Sequence, residues 1–409
     1  MEDVVIVGAG QAGAAVALRL RANGFEGRID LIGREPSLPY QRPPLSKAYL
    51  KGEMTADRLL LRPGALYDDL RIAVRTEVQA LSIDTARNRL ALDDNSNLPY
   101  GKLVLATGAR PRKLAAEVGG ELANVRTLRD LADADGLRDF VRPGQRLLVI
   151  GGGYIGLEMA AVAAQAGMEV TLIEMQDRIL QRVAAAETSD YFRALHLSHG
   201  IDLREGVSLV RLLGDGTTAS LAALSDGSAV GVDLVVVGIG VQANDQLARN
   251  AGLSVNQGIQ VDTACRTFSP DIYAAGDCAV FPFRGDTTRL ESVQNACDQG
   301  EYIADHICGK TNGPYQPQPW FWSDQYDVGL KIAGLNRGYD RVIVRAGEKP
   351  GAQSVWYLQD DTLLAVDAIN DPKSYMMGKR WLAADQTPDL VALADPSQAL
   401  KTLATRTHL

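Results

Sequence analysis

The sequence predicts an α/β protein: two doubly wound units on parallel sheets, one inserted into the other, followed by a C-terminal α+β domain. Three observations carry this. A strand–glycine turn–helix–strand–acid pattern stands at the N-terminus and recurs after residue 145, and the patterning changes beyond a proline-punctuated linker at 314–319. At 409 residues the chain is too long for one core and suits roughly two or three domains.

In the first unit, Val4–Val7 is a short β-branched run of the kind buried in a parallel sheet. It leads into Gly8-Ala9-Gly10-Gln11-Ala12-Gly13, and Ala14 to Arg21 then has helical composition. Gly8 makes the tight turn, Gly10 lets backbone approach a pyrophosphate, and Gly13 lets the helix pack on the strand, whose helix N-terminus faces the phosphate charge. One such turn is weak evidence, but the strand Ile29–Ile32 follows at the right distance. Glu35, a residue or two beyond the usual place, is the candidate carboxylate for the ribose hydroxyls; a solvated turn residue is the alternative.

The second unit is the cleaner match. Arg146–Ile150 is the strand, Gly151-Gly152-Gly153-Tyr154-Ile155-Gly156 the turn, Leu157 to Ala166 the helix, and Glu169–Glu174 the second strand with its terminal acid. Two complete units of this kind in one chain imply two Rossmann-like dinucleotide-binding domains. Glu174 stands where a carboxylate accepts from both ribose hydroxyls and repels a 2′-phosphate, which selects NADH, although Arg178 and Arg182 downstream could favour the phosphorylated form.

Three companion segments complete the plan. Lys102 to Pro111 is a buried strand ending in a turn at Thr107-Gly108, and Val235 to Gly240 is a second of the same type. Ile272 to Asp277 ends on a carboxylate placed to bind a flavin's ribityl chain, with a plain Asx turn as the alternative. The expected division is 1–108 and 237–315 for the first dinucleotide domain, 109–236 for the inserted one, and 316–409 for the C-terminal domain. In the last, Val328 to Ala333, Arg341 to Arg345, Ser354 to Leu358 and Leu363 to Ile369 read as antiparallel strands, followed by a helix from about Pro372 to Ala384.

Composition narrows the partners. The net charge of −8, with no long basic tract, argues against nucleic acid or an anionic membrane as the main partner. No apolar run reaches the length of a membrane span, and the first residues lack the features of a secretory signal, so a cytoplasmic location is expected. The four cysteines form no CxxC pair, and no metal is expected; His196 and His199, at i and i+3, lack a nearby Cys or carboxylate partner.

With these motifs the sequence resembles the glutathione-reductase-like flavoproteins with two dinucleotide-binding domains. Pro39 to Lys47 and Pro319 to Tyr326 are similar to segments of the bacterial ferredoxin reductases that serve cytochrome P450 and Rieske-type ring-hydroxylating dioxygenase systems. The resemblance covers essentially the whole chain. It implies that Ala12, Glu35, Arg42, Lys47, Val78, Arg126, Asp277 and Val293 line FAD, and that Gly153, Ile155, Glu158, Glu174 and Gly240 line NADH. Trp320 would sit near nicotinamide and flavin, brought there with Trp322 by the C-terminal domain; core packing is the alternative for both.

Disulfide reductases of this superfamily carry a CxxxxC pair where this chain has Arg42 to Lys47, without cysteine. Electrons must then leave to an outside acceptor. Lys47 is the candidate cation near flavin N5, and Glu158 could pair with it and orient the nicotinamide amide; a surface ion pair is the alternative for both. The implied acceptor is a [2Fe-2S] ferredoxin, met twice per NADH through a transient, charge-steered interface. For an acidic partner the candidate cations are Lys310, Lys331, Arg337, Arg341, Lys379 and Arg380. A monomer or weak dimer is expected. Rival readings are a rubredoxin or monodehydroascorbate reductase on the same fold, and an NADH-sensing flavoprotein like apoptosis-inducing factor.

Overall fold

The computed structural model describes residues 3–311 and 313–407. The chain forms two compact units: Met1–Arg42 with Thr55–Arg110 and Val241–Pro317, and Pro43–Met54 with Pro111–Gly240 and Gln318–Leu409. The segments read from the motifs, 1–108, 109–236, 237–315 and 316–409, divide the chain by role. Compactness instead breaks it after 110, 240 and 317, groups the C-terminal segment with the inserted one, and draws 43–54, with Lys47, into the same unit.

In the first unit five parallel strands run in the order Ile272–Ala274, Lys102–Leu105, Val4–Val7, Ile29–Ile32, Ile72–Arg75. Every residue of Val4–Val7 is buried, as a central strand covered on both faces requires. The helix Gln11–Ala22 buries its small residues against Val293–Ile307. Gly300 permits that approach, since a Cβ there would lie 2.7 Å from the Ala12 carbonyl oxygen. Arg19 Nε and Nη2 then donate to the two Asp305 carboxylate oxygens at 2.7 and 2.9 Å, closing the far end of the helix pair.

The second unit holds another parallel sheet, in the order Asp202–Glu205, Glu169–Glu174, Arg146–Ile150, Leu234–Val237, Val125–Arg126. Beyond Gln318 comes a five-stranded antiparallel sheet, in the order Trp320–Gln325, Val328–Gly334, Thr362–Ile369, Gln353–Gln359, Arg341–Ala346. Its turn at Asp360-Asp361 has both residues in the left-handed region at φ +46 and +61, the geometry a two-residue hairpin favours. The helix Pro372–Ala383 starts on a proline, capped by Asp371, whose Oδ1 accepts from the Ser374 N–H at 3.1 Å. It packs on the sheet around Trp356, Val366 and Trp381. Gly378 sets the spacing, because a Cβ there would come within 2.4 Å of Val366 Cγ1.

One polar cluster interrupts this core. Asp367, on Thr362–Ile369, accepts through Oδ2 from the Tyr357 hydroxyl and from Thr188 Oγ1 at 2.8 Å. Thr188 lies on the helix Ala186–Ser198, so the cluster ties the antiparallel sheet to the part of the unit that holds the parallel sheet. The buried Asp367 Oδ1 and Tyr154 hydroxyl have no hydrogen-bond partner among the described residues.

Candidate functional site

Both glycine turns fold in the same way, for the same steric reasons. Gly8 has φ +117, and a Cβ there would meet the Ala106 carbonyl oxygen at 2.0 Å; a Cβ at Gly13 would meet the Gly8 carbonyl oxygen at 2.0 Å. In the second turn Gly151 has φ +107 and would strike the Gly238 carbonyl oxygen at 2.5 Å, while Gly156 would strike that of Gly151 at 2.1 Å. The middle glycines differ in kind. Gly10 and Gly153, the N-cap residues of their helices, face nothing within 4 Å. Neither helix has a capping side chain or an acid in its first turn. The amide donors and the helix dipole therefore point into open space that suits an anion.

Around the first turn the unit gathers most of the expected FAD set. A Cβ at Gly276, which has φ +74, would lie 3.2 Å from Ala12 Cβ, and this brings Asp277 beside the helix start. The Gly276 N–H is pinned by Gln299 Oε1 at 2.9 Å, on the helix that begins at Val293. On the other side, Gly33 is held close to Ala9 and its carbonyl accepts from the Val78 N–H at 3.0 Å. Glu35 follows. Its carboxylate accepts from Arg42 Nη2 at 2.6 Å and from the Tyr40 hydroxyl at 2.5 Å. Burial alone would raise its pKa; the Arg42 charge and these hydrogen bonds outweigh that and lower it, so Glu35 is a fixed anion. Thr107 and Gly108 are locked by Asn244: Thr107 Oγ1 donates to the Asn244 carbonyl at 2.6 Å, and the Asn244 N–H donates to the Gly108 carbonyl at 2.9 Å. These residues fit FAD: an uncapped helix start for the pyrophosphate, Glu35 on one side and Asp277 on the other. Lys47 and Arg126, also expected in that set, belong to the second unit, where Arg126 is exposed.

Around the second turn stand the residues expected to line NADH. Glu174 Oε2 accepts from the Gly152 N–H at 2.7 Å and Oε1 from the Gln176 N–H at 2.9 Å, so the carboxylate is clamped at the strand end beside the turn. Ile155 exposes 43% of its surface at the helix start, an apolar wall left uncovered. Gly240 has φ +97, and a Cβ there would sit 3.5 Å from Arg182 Nη2. Arg178 is spent inside the fold, donating to the Ser189 hydroxyl at 2.5 Å and to the Ala185 carbonyl at 3.3 Å.

Glu158, on the same helix, is 5% exposed and fully engaged. Lys47 Nζ lies 2.9 Å from Oε2, Ser46 Oγ donates to Oε2 at 2.8 Å, and Ser323 Oγ donates to Oε1 at 2.8 Å. The Lys47–Glu158 pair is thus an organised, largely buried ion pair rather than a surface one. Trp320 is half-buried against the C-terminal core, its ring 5.5 Å from that of Trp322. Lys379 Nζ lies 5.3 Å over the Trp320 ring and Lys331 Nζ lies 5.7 Å over the Tyr375 ring, so two of the six candidate cations flank one aromatic cluster. Arg341 pairs with Asp361 at 2.5 Å, and Lys310 lies in the first unit, donating to the Asn23 carbonyl at 2.9 Å.

Sequence reasoning missed Ser46, Ser323, Gln325 and Asn244, whose roles come from contacts more than 100 residues apart. His196, weighed only as a metal ligand, instead contacts Gln325 Oε1 through Nε2 at 2.8 Å. No group of His, Cys, Asp and Glu suited to a metal ion occurs among the described residues, and no described helix is long and apolar enough to cross a membrane.

Comparison with known proteins gives the same picture. The pyridine nucleotide-disulphide oxidoreductase family matches residues 2–300, and the reductase C-terminal family matches residues 320–404. Putidaredoxin reductase CamA of Pseudomonas putida is 42% identical over 406 residues, 98% of this chain and 96% of that protein. A ferredoxin–NAD(P)(+) reductase of Sphingomonas sp. is 41% identical over 407 residues, 98% of each chain. The reductase in a crystal structure of the covalent putidaredoxin reductase–putidaredoxin complex superposes with a TM-score of 0.94 at 43% identity, covering 98% of this chain and 97% of that one.

Proposed function

This chain belongs to the pyridine nucleotide-disulphide oxidoreductase family, and from that premise we propose that it is an FAD-dependent NADH:ferredoxin reductase. Its acceptor is a [2Fe-2S] ferredoxin that feeds a cytochrome P450 or a ring-hydroxylating dioxygenase. The observation that carries the reading is the pair of uncapped helix starts at Gly10 and Gly153, each over open space, in a chain with no cysteine from Arg42 to Lys47.

FAD, held by these residues, would supply the redox chemistry that links a two-electron donor to a one-electron acceptor. The chain's own residues bind and orient. The first glycine turn, Glu35 and Asp277 hold one dinucleotide; the second turn and Glu174 hold the other, and the clamped carboxylate at Glu174 disfavours a 2′-phosphate. Glu158 holds Lys47 in place as a fixed cation where hydride transfer builds negative charge. Lys331 and Lys379, flanking Trp320 and Tyr375, offer an acidic ferredoxin a small docking face of aromatic and cationic groups. The reading includes a cytoplasmic monomer or weak dimer, and the −8 charge, with no long basic tract, disfavours nucleic acid or an anionic membrane as its partner.

The test is reconstituted turnover: NADH oxidation coupled to cytochrome c reduction, with a [2Fe-2S] ferredoxin present, absent, or replaced by a rubredoxin. The reading expects turnover that rises steeply and saturably with the ferredoxin. Turnover indifferent to it would remove the ferredoxin assignment, and stimulation by rubredoxin alone would replace it.

A further inference from the structure

Glu158 is the end of a hydrogen-bond chain that starts at the helix Ala186–Ser198. His196 and Gln325, both fully buried, meet through Nε2 and Oε1 at 2.8 Å. Gln325 Nε2 donates to Ser323 Oγ at 3.2 Å, and Ser323 Oγ donates to Glu158 Oε1 at 2.8 Å. The Tyr326 hydroxyl lies 3.5 Å from His196 Nδ1, and the ring of His199 stacks on Tyr326 at 3.6 Å. Every member lies in the second unit.

The chemistry of the groups gives the chain one direction. The Gln325 oxygen can only accept, so His196 must carry its proton on Nε2 and leave Nδ1 to accept from Tyr326. With its amide oxygen so used, Gln325 turns its NH2 to Ser323 Oγ. A serine hydroxyl that receives a donor there is left with its own proton to give, and gives it to Glu158. Each bond thus donates toward the carboxylate, whose other oxygen meets Lys47 Nζ at 2.9 Å and Ser46 Oγ. Reversing any one link would set two donors or two acceptors face to face in a buried place. Burial also pushes the His196 imidazole down to about 4, against the raising effect of Gln325, and His199 adds slightly to the drop, so the ring stays neutral and keeps a single tautomer at neutral pH.

We propose that Gln325 and His196 are positioning residues for hydride transfer: they fix the Ser323 hydroxyl as a donor to Glu158 and so hold the carboxylate that anchors Lys47. This rests on the NADH-oxidising reading above. Neither residue is expected to touch substrate or cofactor; both act through Ser323.

The experiment uses the holoenzyme variants Gln325→Met, Ser323→Ala and their combination, with His196→Leu and His196→Gln. Stopped-flow mixing with NADH gives the limiting rate of flavin reduction and the NADH affinity separately. Gln325→Met should slow the limiting rate about tenfold, well inside the ~100-fold that small misplacements can cost, with affinity changed less than about twofold. It should add little on the Ser323→Ala background, because both remove the same contact. His196→Gln, whose amide nitrogen can stand in for Nε2, should recover a large part of what His196→Leu loses. Independently of turnover, 15N NMR of histidine-labelled wild-type holoprotein should show a neutral, Nε2-protonated His196 from pH 5 to 8, and Gln325→Met should alter that signature. Additive losses in the double variant, equal losses of rate and affinity, or an Nδ1-protonated His196 would each overturn the proposal. Should Gln325→Met fail to fold, the two His196 variants and the tautomer decide it. A wild-type flavin that NADH does not reduce would overturn both this and the reading on which it rests, whereas normal reduction with unaffected variants would sink this proposal alone.

Discussion

Asp367 is 1% exposed, and burial pushes its carboxyl up to about 6, against the hydrogen bonds from Tyr357 and Thr188 that pull it down. A carboxyl whose folded pKa exceeds its unfolded value holds its proton harder in the fold. Its stabilising contribution is complete below the ordinary value of 3.8 and is lost as pH rises through about 6. The difference is worth ~3 kcal/mol in all, of which about 1.4 kcal/mol falls between pH 5 and pH 8. The titratable neighbours coupled to it, Tyr357 and Tyr154, are themselves raised by burial and stay neutral across that range. Asp367→Asn keeps one oxygen to accept from Tyr357 and Thr188 and carries no charge to desolvate. It also leaves a buried NH2 in place of the unpartnered Oδ1, a cost of about 1–3 kcal/mol at any pH, so the informative quantity is the pH slope. All four tryptophans, Trp320, Trp322, Trp356 and Trp381, lie in the second unit, and their fluorescence reports its unfolding in urea. From pH 5 to pH 8 the variant should gain about 1.4 kcal/mol relative to wild type, other titrations cancelling in the difference. Parallel pH profiles for the two proteins would refute the reasoning, because they would mean that Asp367 is ionised at pH 5 or that its charge costs nothing in the fold.

Other consequences are as direct. Gly10→Ala meets no atom within 4 Å and should leave urea stability of the flavin-free protein nearly unchanged while weakening FAD retention; Gly13→Ala, aimed at a carbonyl oxygen 2.0 Å away, should destabilise the fold itself. Glu174→Ala frees the N–H groups of Gly152 and Gln176 and removes the ribose acceptor, so NADH affinity should fall on the order of tenfold, the loss of one charged hydrogen bond, and preference over NADPH should shrink in stopped-flow titrations. Lys331→Gln with Lys379→Gln should raise the KM for an acidic ferredoxin and flatten its dependence on ionic strength, read from cytochrome c reduction between low and high salt.

The sequence made the two nucleotide cradles legible because their geometry leaves no choice of residue. Gly8, Gly13, Gly151 and Gly156 each abut a carbonyl oxygen that excludes a Cβ, so the spacing of glycines is the structure written out. The C-terminal strands were readable for a similar reason: Val328–Gly334, Gln353–Gln359 and Thr362–Ile369 alternate or run apolar between turn residues such as Asp360-Asp361. The helix expected from Pro372 to Ala384 forms as Pro372–Ala383, marked by Asp371 and its proline. What could not be read were contacts assembled by folding. Glu158 is completed by serines 112 residues before it and 165 after it, and no local pattern connects them. Trp320–Gln325 did not read as a strand because it lies at the sheet edge, where three large aromatics stay half-buried and the period-two pattern is lost. Asp367 was unremarked for the opposite reason: a single polar residue inside an apolar strand looks like a surface position until its partners on other segments are seen.

The central claim, that the two glycine turns serve FAD and NADH and that the electrons leave to an iron–sulfur protein, is tested most directly in a single turnover. Anaerobic enzyme would be mixed with NADH or NADPH while the flavin absorbance is followed, and the reduced enzyme then mixed with oxidised [2Fe-2S] ferredoxin. The account predicts fast bleaching that strongly prefers NADH, followed by rapid return of the oxidised flavin with two ferredoxins reduced per NADH. Slow bleaching followed by a reduced flavin that ferredoxin does not reoxidise would contradict it and leave a nucleotide-sensing flavoprotein in its place.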